Sequence, residues 1–166
     1  MVVLFAVAAS LFVNEKKQEF AQDIYLNMLA FGRLTGPTVA YDYDLYLAQN
    51  SFVYFNRDLA KIFKQNADVG VIKVMSYNGE ILYDSTLDVD KKYEGEVRQI
   101  SDAGLLSEVQ SKNISLQTKD GNILFLKPNE NGDFVFVDKN EKPIEALKSG
   151  SLLNYLIVPA NDKYAV

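Results

Sequence analysis

The stretch Val69-Gly70-Val71-Ile72-Lys73-Val74-Met75-Ser76-Tyr77-Asn78-Gly79-Glu80-Ile81-Leu82-Tyr83-Asp84-Ser85 decides the fold. Val69, Val71, Ile72 and Val74 are β-branched, and such runs form strands. Ile81-Leu82-Tyr83-Asp84-Ser85 is a second strand-like run. Asn78-Gly79 lies between them, and this dipeptide favours a two-residue hairpin turn with positive φ at both central positions. Such a turn predicts a register. Tyr77 then faces Glu80, Met75 faces Leu82 and Lys73 faces Asp84 on one side. Val74 with Tyr83 and Ser76 with Ile81 lie on the other, together with Ile72.

The pattern recurs downstream. Ile114–Thr118 and Ile123–Lys127 flank Asp120-Gly121, which predicts Leu116 against Phe125, with Ser115 and Gln117 opposite Leu126 and Leu124. Asn131-Gly132 leads into Phe134-Val135-Phe136-Val137. Leu152–Val158 is another apolar strand. Lys163-Tyr164-Ala165-Val166 reads as the start of its hairpin partner, so the strand is expected to continue beyond Val166. Between the sheet halves, Leu87–Lys112 opens as a polar loop and closes as a short helix through Leu105, Leu106 and Val109. Ser101 or Asp102 is the expected cap.

Upstream of the first hairpin the period changes from two to 3.6. Phe52, Phe55, Leu59, Ile62 and Phe63 make an amphipathic helix with Asn66 as its C-terminal cap. Phe20, Ile24, Met28 and Phe31 make another, with Glu15, Lys17, Gln18, Gln22 and Asp23 opposite. Gly36-Pro37 is expected to break or bend it. Thr38–Asn50 then reads as helix, because no turn signal separates it from the next one. The order of elements predicts an α+β fold, a long N-terminal helix packed on one mainly antiparallel sheet, in a single domain over residues 14–166.

Val2–Val13 is an apolar run, broken only by Ser10 and free of charge, followed at once by Asn14-Glu15-Lys16-Lys17-Gln18. About 20 apolar residues cross a bilayer, so this run is too short to span alone. Residues 1–13 are expected to be the trailing part of a membrane segment. A signal remnant is the second reading, since Ala6-Val7-Ala8 resembles a cleavage site, although no basic residue precedes the run. A buried helix or strand is the third.

Composition excludes several chemistries. The chain has 166 residues, with no Cys and no His. Disulfides, thiolate nucleophiles, Cys-based metal sites and imidazole catalysis are all ruled out. Lys plus Arg is 17 and Asp plus Glu is 22, a net charge of −5 with no basic block, which argues against nucleic acid. No phosphate-binding glycine loop, dinucleotide fingerprint or nucleophile elbow is present. The expectation is a protein that is not an enzyme and carries no cofactor.

Asn66-Ala67-Asp68-Val69-Gly70-Val71-Ile72-Lys73-Val74, then Asn78-Gly79-Glu80-Ile81-Leu82-Tyr83-Asp84-Ser85 and, later, Leu153-Asn154-Tyr155-Leu156-Ile157-Val158-Pro159-Ala160-Asn161-Asp162 form a familiar sequence of elements. Together with the leading helices, they resemble the extracytoplasmic PAS-like sensor domains, of the Cache type, of bacterial transmembrane receptors. Ser76-Tyr77 stand where that family's hairpin usually opens with Asp or Asn. The resemblance covers residues 14–166. It implies a PAS-like sheet, a location outside the cell membrane and a tether to it. It further implies a homodimer through the N-terminal helix over Asn14–Leu34, and the passing of ligand occupancy to a kinase, cyclase or chemotaxis module. A secreted or anchored structural domain without a ligand is the alternative.

The 10 Tyr and 10 Phe suit either a filled core or a small-molecule pocket. For a pocket, Arg57 is the candidate partner of a carboxylate and Asp84 of an amine, with Tyr54 and Tyr83 as walls and Lys73 beside Asp84. The competing account pairs Lys73 with Asp84 across the hairpin. Asp42/Asp44 and Asp88/Asp90 read as solvated surface. Asp138, Asn140 and Glu141 read as a polar turn, since the glycine of a calcium loop is absent.

Overall fold

The computed structural model describes residues 2–49, 51–87, 98–132, 134–144 and 153–166, with side chains described from residue 25 onward. The fold is α+β, with a long N-terminal helix and two antiparallel sheets. Chain order runs α1 Val2–Ala48, α2 Phe52–Gln65, β1 Lys73–Ser76, β2 Glu80–Asp84, β3 Arg98–Gln99 and α3 Ala103–Gln110. It continues with β4 Ser115–Thr118, β5 Ile123–Pro128, β6 Phe134–Val137, β7 Leu153–Ile157 and β8 Tyr164–Ala165. The Asp88/Asp90 pair lies outside the described residues, as do the side chains of Phe20 and Ile24.

The residues form two compact units, one of 1–32 with 114–156 and one of 33–113 with 157–166. Instead of the single sheet expected, the described residues form two of four strands, ordered β3-β2-β1-β8 and β6-β5-β4-β7. The division arises because β7 and β8, adjacent in sequence, take different partners. β8 pairs with β1, and β7 lies beside β4.

Helix α1 runs through Gly36-Pro37 without ending. An interior proline costs roughly 3 kcal/mol. Burial beyond it offsets that cost, since Val39, Ala40 and Tyr43 are all almost fully enclosed. Tertiary packing, not local propensity, holds this part of the helix. Helix α2 follows its apolar stripe, with Phe52, Phe55 and Leu59 buried. At its C-terminus the Asn66 backbone N–H donates to the Ile62 and Phe63 carbonyls. Asp102 caps α3, its Oδ1 accepting from the Leu105 N–H at 2.7 Å.

The first hairpin keeps only part of the predicted register. Lys73 faces Asp84 and Val74 faces Tyr83, but Met75 then faces Ile81, leaving Leu82 as a bulge. The turn explains the slip. It runs from Ser76 to Gly79, closed by the Gly79 N–H to the Ser76 carbonyl at 3.0 Å. Only Gly79 has positive φ, at 91°, while Asn78 does not. A turn of this kind places one more residue in the loop than the two-residue turn does, and a bulge absorbs it.

The second hairpin is displaced by a full residue from expectation. Ser115 faces Phe125, Leu116 faces Leu124 and Gln117 faces Ile123. The cause is the same device: the Gly121 N–H reaches the Thr118 carbonyl at 2.9 Å, and Lys119, Asp120 and Gly121 all lie in the loop. Leu116 and Leu124 thereby share a face and pack with Tyr25. Asn129–Gly132 forms a third turn of this kind, and β6 pairs with β5 from Pro128↔Phe134 to Phe125↔Val137.

Candidate functional site

The second unit is built around aromatic rings. Tyr43 of α1 meets Phe52, Phe55 and Tyr164 edge-on, at centroid distances of 6.1, 5.8 and 5.5 Å. Tyr83 of β2 meets Phe55 edge-on at 4.7 Å and stacks on Phe52 at 6.4 Å. Edge-to-face geometry brings the positive ring edge to the negative face of the next ring, which fixes orientation as well as burial. Tyr83 is only 2% exposed, and its hydroxyl donates to Asn56 Oδ1 at 2.6 Å. It is a core residue with a satisfied polar tip.

Lys73 and Asp84 sit on the opposite face of the sheet from Val74 and Tyr83, because consecutive strand residues alternate. Lys73 Nζ lies 2.9 Å from Asp84 Oδ2. Asp84 is buried, and its Oδ1 accepts from the Thr86 backbone N–H at 3.0 Å and from the Thr86 hydroxyl at 2.6 Å. Burial alone pushes its pKa up. The hydrogen bonds from Thr86 and Lys73 together outweigh burial and hold the carboxyl below its ordinary value.

Tyr54 and Arg57 lie on the outer face of α2. Tyr54 is 50% exposed. The Arg57 guanidinium carbon stands 4.9 Å above its ring centre, within cation–π range. Tyr54 stacks on Tyr46 of α1 at 6.1 Å and 28°. The Tyr46 hydroxyl donates to Asp58 Oδ2 at 2.8 Å, and Asp58 Oδ1 takes Lys61 Nζ at 2.6 Å and Arg57 Nε at 3.5 Å. The hydrogen bonds from Lys61 and then Tyr46 hold the Asp58 pKa down. Nearby, burial and then the Asp58 charge push the Asp42 pKa up, opposed by Lys61.

The five candidate residues therefore form one exposed pair, one exposed-to-buried ion pair and a core ring, not one constellation. Tyr54 with Arg57 is accessible to a solute. Lys73 with Asp84 is already a cross-strand ion pair, and Tyr83 is enclosed. Asp138 Oδ1 accepts from the Asn140 and Lys142 backbone N–H groups at 2.8 and 2.9 Å, and Glu141 pairs with Lys127 at 2.6 Å. Those acids form a turn and a cross-link. Among the described residues, no group of three or more acidic side chains is placed to hold a metal ion.

Residue identity alone did not single out the seam partners Tyr46 and Asp58, or Asn56. Their i and i+12 or greater separations carry no periodic signal. Asp44, read from the sequence as solvated surface, is instead tied to β8 and its approach. Its Oδ1 accepts from the Tyr164 hydroxyl at 2.6 Å and its Oδ2 lies 3.2 Å from Lys163 Nζ. Tyr77 donates to the Asn161 and Tyr164 carbonyls at 2.8 and 2.9 Å. These bonds fasten β8, whose ladder to β1 is only Met75↔Ala165 and Ser76↔Tyr164.

No protein-family model, curated protein or solved structure matches this chain.

Proposed function

We propose that the chain is a non-catalytic, extracytoplasmic sensing domain of a membrane receptor, reporting occupancy of the Tyr54–Arg57 surface through α1. One observation carries the reading. Tyr46, on α1, both stacks on Tyr54 and donates to Asp58, so the exposed candidate ligand residues are one contact from the helix. A carboxylate-bearing solute held by the Arg57 fork against the Tyr54 ring would compete with Asp58 and so alter the grip on Tyr46. Such a ligand shifts α1 only by binding one arrangement better than another.

Two further features support the reading. Val2–Val13, apolar but for Ser10 and without a charged residue, opens the same helix. Among the described residues, no helix is long and apolar enough by itself to cross a membrane. Leu26 and Leu34 of α1 are exposed, as a helix that pairs with a second copy requires.

Thermal denaturation with amino acids, organic acids and sugars tests the proposal. A ligand at about 100 times its Kd adds near 2.7 kcal/mol. The stabilisation should appear with carboxylate ligands and vanish in Arg57→Ala and Tyr54→Ala. No stabilisation by any of them, with the folded chain intact, would favour a structural or adhesive domain.

A further inference from the structure

The chain holds the dipeptide Asn-Gly twice, at Asn78-Gly79 and Asn131-Gly132. The chemistry open to it is simple. The glycine backbone nitrogen attacks the asparagine side-chain carbonyl carbon, the Cγ–Nδ2 bond breaks, and ammonia leaves with the proton that the nitrogen gives up. Water then opens the resulting succinimide at either carbonyl, leaving aspartate or β-linked isoaspartate. Glycine permits it because no Cβ hinders the attacking nitrogen. Water is the only co-reactant.

Both dipeptides occupy the same kind of turn. The Gly79 N–H donates to the Ser76 carbonyl and the Gly132 N–H to the Asn129 carbonyl, each at 3.0 Å. Both glycines have positive φ, 91° and 85°. In either case the turn must open before the nitrogen is available to react. The surroundings of the two turns differ, and they decide the cost of opening.

Gly79 is buried and overhung. A Cβ there would stand 2.6 Å from Leu106 Cδ1. Its carbonyl accepts from the Ile100 N–H at 2.8 Å. The flanking residues are bonded as well: Ser76 Oγ exchanges hydrogen bonds with Glu80 at 3.1 and 3.2 Å, and Tyr77 holds the two carbonyls before and within β8. Gly132 has nothing within 4 Å of the equivalent position. Glu130, Asn131 and Gly132 are all exposed, and the Asn131 N–H donates to Asn129 Oδ1 at 2.9 Å.

We infer that Asn131 is a site of spontaneous conversion to aspartate and isoaspartate in the folded protein, and that Asn78, bearing the same dipeptide, is protected by Leu106 and the β1–β2 turn. The isoaspartyl product inserts an extra backbone carbon into the β5–β6 turn, whereas the aspartyl product adds only a negative charge.

Peptide mapping of the full chain after incubation at mildly alkaline pH tests this. Mass and chromatographic retention distinguish asparaginyl, aspartyl and isoaspartyl peptides. Asn131 should convert at least about tenfold faster than Asn78, the ratio set by roughly 1.4 kcal/mol of extra opening cost. In denaturant the two rates should converge. Equal rates in the folded chain, or faster loss of Asn78, would overturn the proposal, and the wild-type ratio alone decides it. Leu106→Ala sharpens it: Asn78 should then approach the Asn131 rate. An unchanged Asn78 rate in a variant with native circular dichroism would refute the protective role of Leu106. Asn131→Gln should abolish the signal at that position.

Discussion

The two units solve the same packing problem with different side chains. The first gathers Tyr25, Leu116 and Leu124, with Phe136, Ile144, Leu153 and Leu156 around them. The second gathers Tyr43, Phe52, Phe55 and Tyr83, with Val39, Leu59, Ile72 and Val74. Aliphatic packing is non-directional and tolerates small shifts. Interlocked rings do not, and tyrosines add polar tips that must find partners. Tyr46, Tyr77, Tyr83 and Tyr164 all find them within the second unit, on Asp58, β8, Asn56 and Asp44. The aromatic unit is thus specified by hydrogen bonds at its margins as well as by burial at its centre.

Excision of one core side chain from each unit gives the largest effects. Phe55→Ala should lower unfolding free energy by about 3–5 kcal/mol and Leu124→Ala by about 2–5 kcal/mol, read from urea titration. A larger loss from Leu124 would contradict the view that the ring cluster is the more tightly interlocked. Tyr83→Phe keeps the ring and deletes its hydroxyl. It should cost about 1–2 kcal/mol, because Asn56 loses a buried donor. No loss would mean that the polar tip contributes nothing beyond the ring.

The next tests vary pH. Burial, then the Asp44 hydrogen bond and charge, push the Tyr164 pKa up from 10.0 to about 12. A raised pKa means that this stabilisation is complete below pH 10 and is lost as pH rises from there to about 12. Tyr164→Phe should remove that alkaline component, and Asp44→Asn should shrink it. Asp84 works in the opposite direction. Its folded pKa lies below the ordinary 3.8, so its contribution is full above that value and disappears as pH falls through the lower one. Asp84→Asn should flatten the acid limb of the stability curve, the smallest change of the series. An acid limb identical to wild type would show that Thr86 and Lys73 do not favour the charged form.

Sequence patterning revealed the elements better than their alignment. The stripe Phe52, Phe55, Leu59 specifies α2, and β-branched runs specify β1 and β2, because each signal repeats within one element. Register depends on turn geometry. Asn78-Gly79 and Asp120-Gly121 carry the composition of a two-residue turn, yet each glycine closes a longer one. Gly36-Pro37 signalled a break or bend, and the continuation of α1 past it was not legible there, since burial of Val39 and Tyr43 sets it. For the candidate site, the Lys73–Asp84 pairing followed from the hairpin register, which the bulge preserves at that end. Enclosure of Tyr83 and the Tyr46–Tyr54 seam did not, because both depend on how α1 and α2 meet.

The carboxylate of Asp44 receives a hydroxyl from 120 positions downstream. On the ribosome, α1 and α2 are therefore complete long before the strand that closes their unit has been translated. Nascent chains arrested before residue 157 should expose the Tyr43 ring and bind hydrophobic dyes, while emergence of residues 157–166 should quench that binding. For the ring-packed unit, residues 157–166 set the moment at which the native core can be sealed.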